Sequence, residues 1–543
     1  MMFSADAPAS PRQHLLIPIM PTPNGRFHLG HIAGPYLKMD LIARHLRRRG
    51  DEARIITGTD SYESYVLLRA QEQNREPAQV CAHYHELIEE DLAALDIELD
   101  AFISPVDASW SSLYRKIHQD WVGRLNRQGA VVTFTESMPY SRAAKRYLTG
   151  CRLSGRCPDC GSSVSSYFCE TCGTHFRPEE MLDPHGPDAG EQLRWRDVSS
   201  LFLRLPEPAA ILARLEDMAV PAEFRAIAER FLKRNGRLLR LSAPTDWGMP
   251  LAPDGSEARS LFSYTGLLPY SLLCGEVHAA LANAETSAFA AGSDVVTVSG
   301  FGIDNSVPML VGAIGNALLD PAVKPFDHFL LNHFYELEGA KFSTSRDHAI
   351  WVHDIVARPG ISTDAIRYYL AKVSPEDRAR SLDVRDFVDT VNNDLANGIG
   401  RRGAIAAGRL RDLVGEPGPP STDLLRRLES ALSDQTRAFD YPTFSSAGAV
   451  GVLSAWSDER TETRSESESY WWLKGLALLS WPIIPRFGGA LWELLGGDGD
   501  PALARFLKPT APARSRAVPV FDEISRADLE PCLPPALRGT PLS

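Results

Sequence analysis

Four cysteines fall within one sixteen-residue stretch, "CPDCGSSVSSYFCETC", as two Cys-x-x-Cys pairs with eight residues between them. Cys157, Cys160, Cys169 and Cys172 supply the four thiolates that a tetrahedral zinc ion takes, and a closed four-sulfur site is structural rather than catalytic. Cysteines that only pack in a reduced interior have no reason to pair in this way. Cys81, Cys151, Cys274 and Cys532 read as ordinary thiols, and eight cysteines in 543 residues make no disulfide framework.

A second group is suited to anions. "PNGRFHLGH" sets His28 and His31 three apart, on one helix face, where a strand hands over to a helix. A helix N-terminus offers free N–H groups to an anion, and Gly25 and Gly30 let a ligand approach the backbone. Two imidazoles there could donate to phosphate oxygens that gain charge during a displacement. The other reading is a pair of surface histidines beside a turn. "YELEGAKFSTSRD" carries Lys341, Ser343, Thr344, Ser345 and Arg346, and is either a solvated turn or a phosphate-binding loop. Asp60 closes the strand "ARIITGTD" at the sheet edge where such folds bind ligands, a place that also suits a helix N-cap.

The elements that position these groups can be read from periodicity. "HLLIPIM" (14–20) is a buried parallel strand, followed by a Pro/Asn/Gly loop and the helical "HLGHIAGPYLKMDLIARHLRRRG". With the strand at 53–60 this opens a βαβ unit. Two amphipathic helices follow, in "ESYVLLRAQEQNREPAQVCAHYHELIEEDLAALDI". The pattern stops between roughly 126 and 236 and resumes at "VVTVSGFGID" and "FDHFLLNHF". The fold class predicted is α/β: a split Rossmann-type nucleotide-binding domain, a zinc-knuckle insertion and a C-terminal α-helical bundle. The expected boundaries are 1–125 and 237–335 for the two halves of the nucleotide-binding domain and 126–236 for the insertion. Segments 336–385, 386–500 and 501–543 follow. "DERTETRSESES" (458–469) reads as a charged loop.

Bulk properties narrow the class. Apolar residues are 44% and charged residues 23%, ordinary for a globular protein. The net charge of −12 gives no overall basic footprint for nucleic acid, although a local strip can suffice. The N-terminus lacks the basic start and apolar run of a signal peptide. The most apolar late segment is interrupted by Lys474, Pro482, Pro485 and Arg486, so packed helices are expected there rather than a membrane span. A cytoplasmic, monomeric protein is the expectation.

The segment around His28 and His31 resembles the His-x-Gly-His signature of class I aminoacyl-tRNA synthetases. "PTPNGRFHLGHIAGPYLKMDLIARHLRRRGD", "GTDSYES", "DWGMPLAPDG", "DAIRYYLAKVSPEDRARSLDVRDFVDTVNNDLANGIG" and "VPVFDEI" are similar, in order, to methionyl-type members. The resemblance implies an ATP-dependent ligase that activates an amino acid and passes it to a tRNA 3′ end. It makes 336–385 a signature loop and stem-contact region, 386–500 a shortened bundle and 501–543 a returning tail. It implies catalytic roles for His28, His31 and Lys341. ATP contacts would come from Asn24, Gly30, Gly302, Asp304, Ser343, Ser345 and Arg346, with Gly302 and Asp304 at the ribose. Asp60 would hold the α-ammonium group, and Thr22, Tyr270, Asn305 and Met309 would lie around the amino acid. Magnesium would accompany the triphosphate, and one zinc ion is expected, because Ser141 and Ala144 stand where a second knuckle would begin.

The chain also departs from that family. Thr344 replaces the second lysine of the family's Lys-Met/Phe-Ser-Lys-Ser loop; losing such a contact costs about 3–4 kcal/mol, partly offset by Arg346. Thr22 replaces a tyrosine, Phe262 or Ser263 stands for a tryptophan, and Ser242-Ala243-Pro244 replaces Ser-Arg-Asp. Asn305 and Met309 replace an isoleucine and a histidine, so the amino acid is methionine or an altered substrate. The aromatic elements that read single-stranded anticodon bases are missing between "FDYPTF" and "YWWLKG", apart from Trp456. Two alternatives therefore stand beside the tRNA ligase. One passes the activated amino acid to a small molecule, peptide or carrier protein; the other is a non-catalytic binding or regulatory paralogue.

Overall fold

The structure is a computed structural model that describes residues 11–539 except 170, 188–191, 246, 252–258, 344–346, 412, 414, 459–464, 514, 515 and 517. Thr344, Ser345 and Arg346 therefore lie outside the described residues.

Five parallel strands form the central sheet: β1 (Gln13–Pro18), β2 (Glu52–Gly58), β3 (Ala101–Ile103), β4 (Val296–Gly302) and β5 (His328–Asn332). Their order is β5-β4-β1-β2-β3. β1 is central, aligned Leu16↔Val298 on one side and Leu16↔Ile55 on the other. Both neighbours cover β1, and helices cover the faces, so the strand is apolar on successive residues rather than alternate ones. The chain winds outward from β1 through β2 and β3, then returns after the long insertion to build β4 and β5 on the other side. That reversal opens a crevice at the C-terminal strand ends, where open α/β sheets bind ligands. Gly58 ends β2 because no side chain fits: a Cβ would stand 2.1 Å from both the Ile103 carbonyl oxygen and the Tyr270 hydroxyl.

The insertion is built on a long antiparallel pair, Val131–Ser141 with Arg194–Arg204, in register from Val131↔Leu203 to Tyr140↔Arg194. A small three-stranded sheet holds the cysteine pairs against Met138, Leu148, Leu153 and Phe176. Arg240 reaches across to the buried Glu136, an ion pair with both partners inside.

Beyond β5 the chain is mainly helical. One continuous core runs from Leu16 and Ile55 of the sheet to Tyr470, Trp471 and Trp472 of the C-terminal helices. Arg367, in the helix Thr363–Lys372, is fully buried where these parts meet. Its guanidinium donates to Asp40, to the Leu95 carbonyl at 2.9 Å and to the Ile483 carbonyl at 3.0 Å. The charged stretch 458–469 is not wholly a loop. A helix spans Glu466–Ser480, and Ser465 caps it by accepting the Glu468 N–H at 3.2 Å, while Glu468 accepts the Ser465 N–H. This Ser-x-x-Glu box satisfies helix donors locally and outweighs the polarity of the stretch. Trp456 is buried, with its indole N–H donating to the Trp472 carbonyl, so it packs the bundle instead of offering a platform. Among the described residues no helix is long and apolar enough to cross a membrane.

Candidate active site

A cleft of about 410 Å³ lies at the C-terminal ends of the strands. Its walls follow β1 (Thr22, Asn24), β2 (Asp60, Glu63), β4 (Gly302, Asp304, Asn305) and β5 (Asn332, His333). His28, Gly30, His31 and Lys341 complete one end.

The two histidines are held by pairing between distant segments. The Leu29 N–H donates to the Ile350 carbonyl and the Val352 N–H to the Phe27 carbonyl, each at 3.0 Å. The His28 and His31 rings stack with centroids 3.8 Å apart. Phe27 covers the outer face of His31 at 4.7 Å, and Phe342 covers that of His28 at 4.8 Å. The four rings make one column, and it sets Lys341, the neighbour of Phe342, at the cleft. Gly30 suits the column's packing: a Cβ would crowd it, coming to 3.0 Å from both the His28 ring and Phe342 Cδ2.

Burial makes both imidazoles neutral at ordinary pH. It takes His31 to about 4, and burial followed by the neighbouring His31 pushes His28 well below its usual value. His31 Nδ1 accepts the His28 main-chain N–H at 3.3 Å, so the ring proton sits on Nε2 and can be donated. His28 Nδ1 is buried with no hydrogen-bond partner among the described residues. A neutral imidazole is cheaper to bury than an imidazolium and can still donate to an oxygen gaining charge. Lys341 is exposed, its ammonium 4.6 Å from the Phe334 ring centroid.

Two carboxylates, Asp60 and Glu63, share the cleft wall. Asp60 is raised to about 8 by burial and then by Glu63, and burial raises Glu63 as well. Glu63 accepts from the Ser64 hydroxyl at 2.9 Å and from the Tyr65 N–H at 2.6 Å. Phe168, Tyr264 and Leu267 line the same cleft with apolar surface. Glu63, Phe168 and Tyr264 are absent from the residues inferred from sequence. The available signals were the three-residue spacing of Glu63 from Asp60, the position of Phe168 just before Cys169, and the aromatic run "LFSYTGLLPY" that holds Tyr264.

Other expected residues fall elsewhere. Tyr270 is 2% exposed and lies beneath Asp60, its hydroxyl donating to the Thr59 and Ile103 carbonyls, so it supports the loop without lining the cleft. Met309 is 1% exposed in the core, in a segment, Val307–Ala313, that is buried throughout. Ser343 is outside the lining and pairs with His348 through two main-chain bonds of 3.0 Å. Thr22, Asn24, Asp60, Gly302, Asp304 and Asn305 all line the cleft.

The four cysteine sulfurs lie within 4.8 Å of one another. Cys157 and Cys172 approach to 3.7 Å, and Cys160 and Cys169 to 3.5 Å. The donor set and its compactness fit a tetrahedral zinc ion.

A family model described as tRNA synthetases class I (M) matches residues 15–402. The methionine–tRNA ligase of Porphyromonas gingivalis is 27% identical over 395 residues, covering 71% of this chain and 56% of that protein. That of Pyrobaculum arsenaticum is 24% identical over 546 residues, covering 93% of each. Mycobacterium tuberculosis methionyl-tRNA synthetase in complex with methionyl-adenylate shares the fold with a TM-score of 0.70 at 18% identity, covering 93% of this chain and 99% of that one.

Proposed function

Because the chain belongs to the class I tRNA synthetases of the methionyl type, we propose that it activates an amino acid with ATP and transfers it to a tRNA 3′ end. One carboxylate oxygen of the amino acid attacks the α-phosphorus of ATP. The bond to the β-phosphate oxygen breaks, pyrophosphate leaves and an aminoacyl-adenylate remains. A ribose hydroxyl of the tRNA then attacks the acyl carbon and AMP departs.

Each step asks the protein mainly to position groups and stabilise charge, so no nucleophilic side chain is needed. Asp60 holds the ammonium group, and Gly302 and Asp304 hold the ribose. His31 donates through Nε2 to the phosphate region, with His28 beside it, and Lys341 draws charge toward the departing pyrophosphate. The zinc-binding cysteines, when loaded, brace the insertion and do no chemistry.

The observation that supports this reading best is the ring column. It brings His28 and His31 to one cleft with Lys341, which is 310 positions from His31 in the chain. ATP–pyrophosphate exchange with a panel of amino acids tests it, and silence with every one would sink it. His31→Ala is expected to lower the exchange rate by about 100- to 1000-fold, the usual loss for a donor to developing charge. Labelled amino acid with total tRNA then tests the acceptor: label stable at the 3′ end supports tRNA, and its absence alongside strong exchange points to another acceptor.

A further inference from the structure

Adjoining the cleft lies a second cavity of about 50 Å³. Half of its wall residues are aromatic, including Phe176, Phe202, Phe231 and Phe262, and Arg177, Asn235 and Arg240 also line it. Among the described residues, only Phe168 and Tyr264 line both cavities. Their rings meet edge to face with centroids 5.0 Å apart at 78°, so together they form the partition.

The four-cysteine turn sets where Phe168 stands. The residue directly precedes Cys169, pairs in an antiparallel bridge with His175, and stacks on that imidazole at 5.5 Å. The Cys169 N–H donates to the Thr174 carbonyl and the Gly173 N–H to the Cys169 carbonyl, each at 2.8 Å. The insertion is docked on the loop after Asp60, where the Cys151 N–H donates to Ser64 Oγ at 3.0 Å. The Phe168 half of the partition is thus carried by the knuckle, and Tyr264 comes from the turn Ser263–Gly266.

The cleft divides by chemistry. His28, Asp304, Asn332 and Lys341 give it polar surface, whereas Tyr264, Leu267 and Phe168 give apolar surface to the same cleft that Asp60 and Glu63 line. An amino acid with its ammonium at the carboxylates has this surface for its side chain.

We propose that Phe168 is a specificity-determining residue. Its ring is the end wall on which a large apolar side chain packs, and the metal-binding turn sets how long a side chain is admitted. This rests on reading the cleft as an amino-acid-activating site. Shortening Phe168 joins the two cavities and admits bulkier side chains.

Calorimetric binding of amino-acid alcohols reads this without catalysis. Wild type is expected to bind methioninol about tenfold or more tighter than alaninol, the discrimination an apolar pocket provides. Phe168→Ala should raise the affinity of tryptophanol relative to methioninol about tenfold, with ATP affinity unchanged and Phe168→Leu intermediate. Cys172→Ser, which opens the four-sulfur set, should shift the same ratio. Equal binding of alaninol and methioninol by wild type overturns the proposal. So does an unchanged ratio in Phe168→Ala with full zinc content and melting temperature; should that variant not fold, Phe168→Leu is held to the same ratio. Alcohol binding as expected but no pyrophosphate exchange would overturn the activation reading and leave the pocket assignment standing. Exchange without the ratio shift does the reverse.

Discussion

The phenyl ring of Phe342 lies against the imidazole of His28, centroids 4.8 Å apart and planes 16° from parallel. The contact joins residues separated by 314 positions and makes the lysine loop a wall of the histidine site. Gly30 packs against both rings, and a Cβ there would crowd each of them at 3.0 Å.

Gly30→Ala therefore tests the column. The new methyl forces His28 and Phe342 apart by a few tenths of an ångström or more, and misplacement of such groups costs up to about 100-fold in rate. Exchange should fall by about 10- to 100-fold while the melting temperature changes little. A variant with normal exchange would show that the stacking is dispensable.

The Asp60 carboxyl, raised to about 8 by burial and then by Glu63, gives the cleft a pH dependence. Only the ionised form attracts an ammonium group, so amino-acid affinity should rise as pH climbs from about 6.5 to 8.5. Glu63→Gln removes one source of the upward shift and moves this rise to lower pH. Asp60→Asn should abolish it along with most of the affinity. Titration of KM against pH for the three proteins checks the order.

Metal analysis of undenatured protein should find about one zinc ion per chain, as a single four-sulfur site takes. Cys157→Ser is expected to lose it and to make the insertion sensitive to protease, because the cysteine turns are packed into the small core of Met138, Leu148 and Phe176. Zinc retained at full stoichiometry in that variant would refute the site.

Arg367 ties the sheet domain to the C-terminal helices from a fully buried position. Arg367→Ala leaves Asp40 with Arg44 alone, at 2.9 Å, and strands the Leu95 and Ile483 carbonyls. Breaking such a buried pair costs about 3–5 kcal/mol, to be read from the urea midpoint. A loss near zero would mean that the continuous apolar core alone holds the two parts together.

Much of the molecule was legible from local pattern. The cysteine pairs sit within sixteen residues, and βαβ periodicity declares itself over a few turns, so the knuckle and split parallel sheet needed no distant information. The single end of the charged stretch that proved helical was also local, a Ser465–Glu468 capping box passed over for its polarity. What the amino-acid order alone could not decide is which side chains face the ligand space. Tyr270 and Met309 turned to the core, while Glu63 and Phe168 came to the cleft wall. Those outcomes depend on the reversal of strand order about β1 and on how the insertion docks over the Asp60 loop. Both are set by packing between segments far apart in the chain, where a rotation of one helix by a single residue exchanges a buried face for an open one.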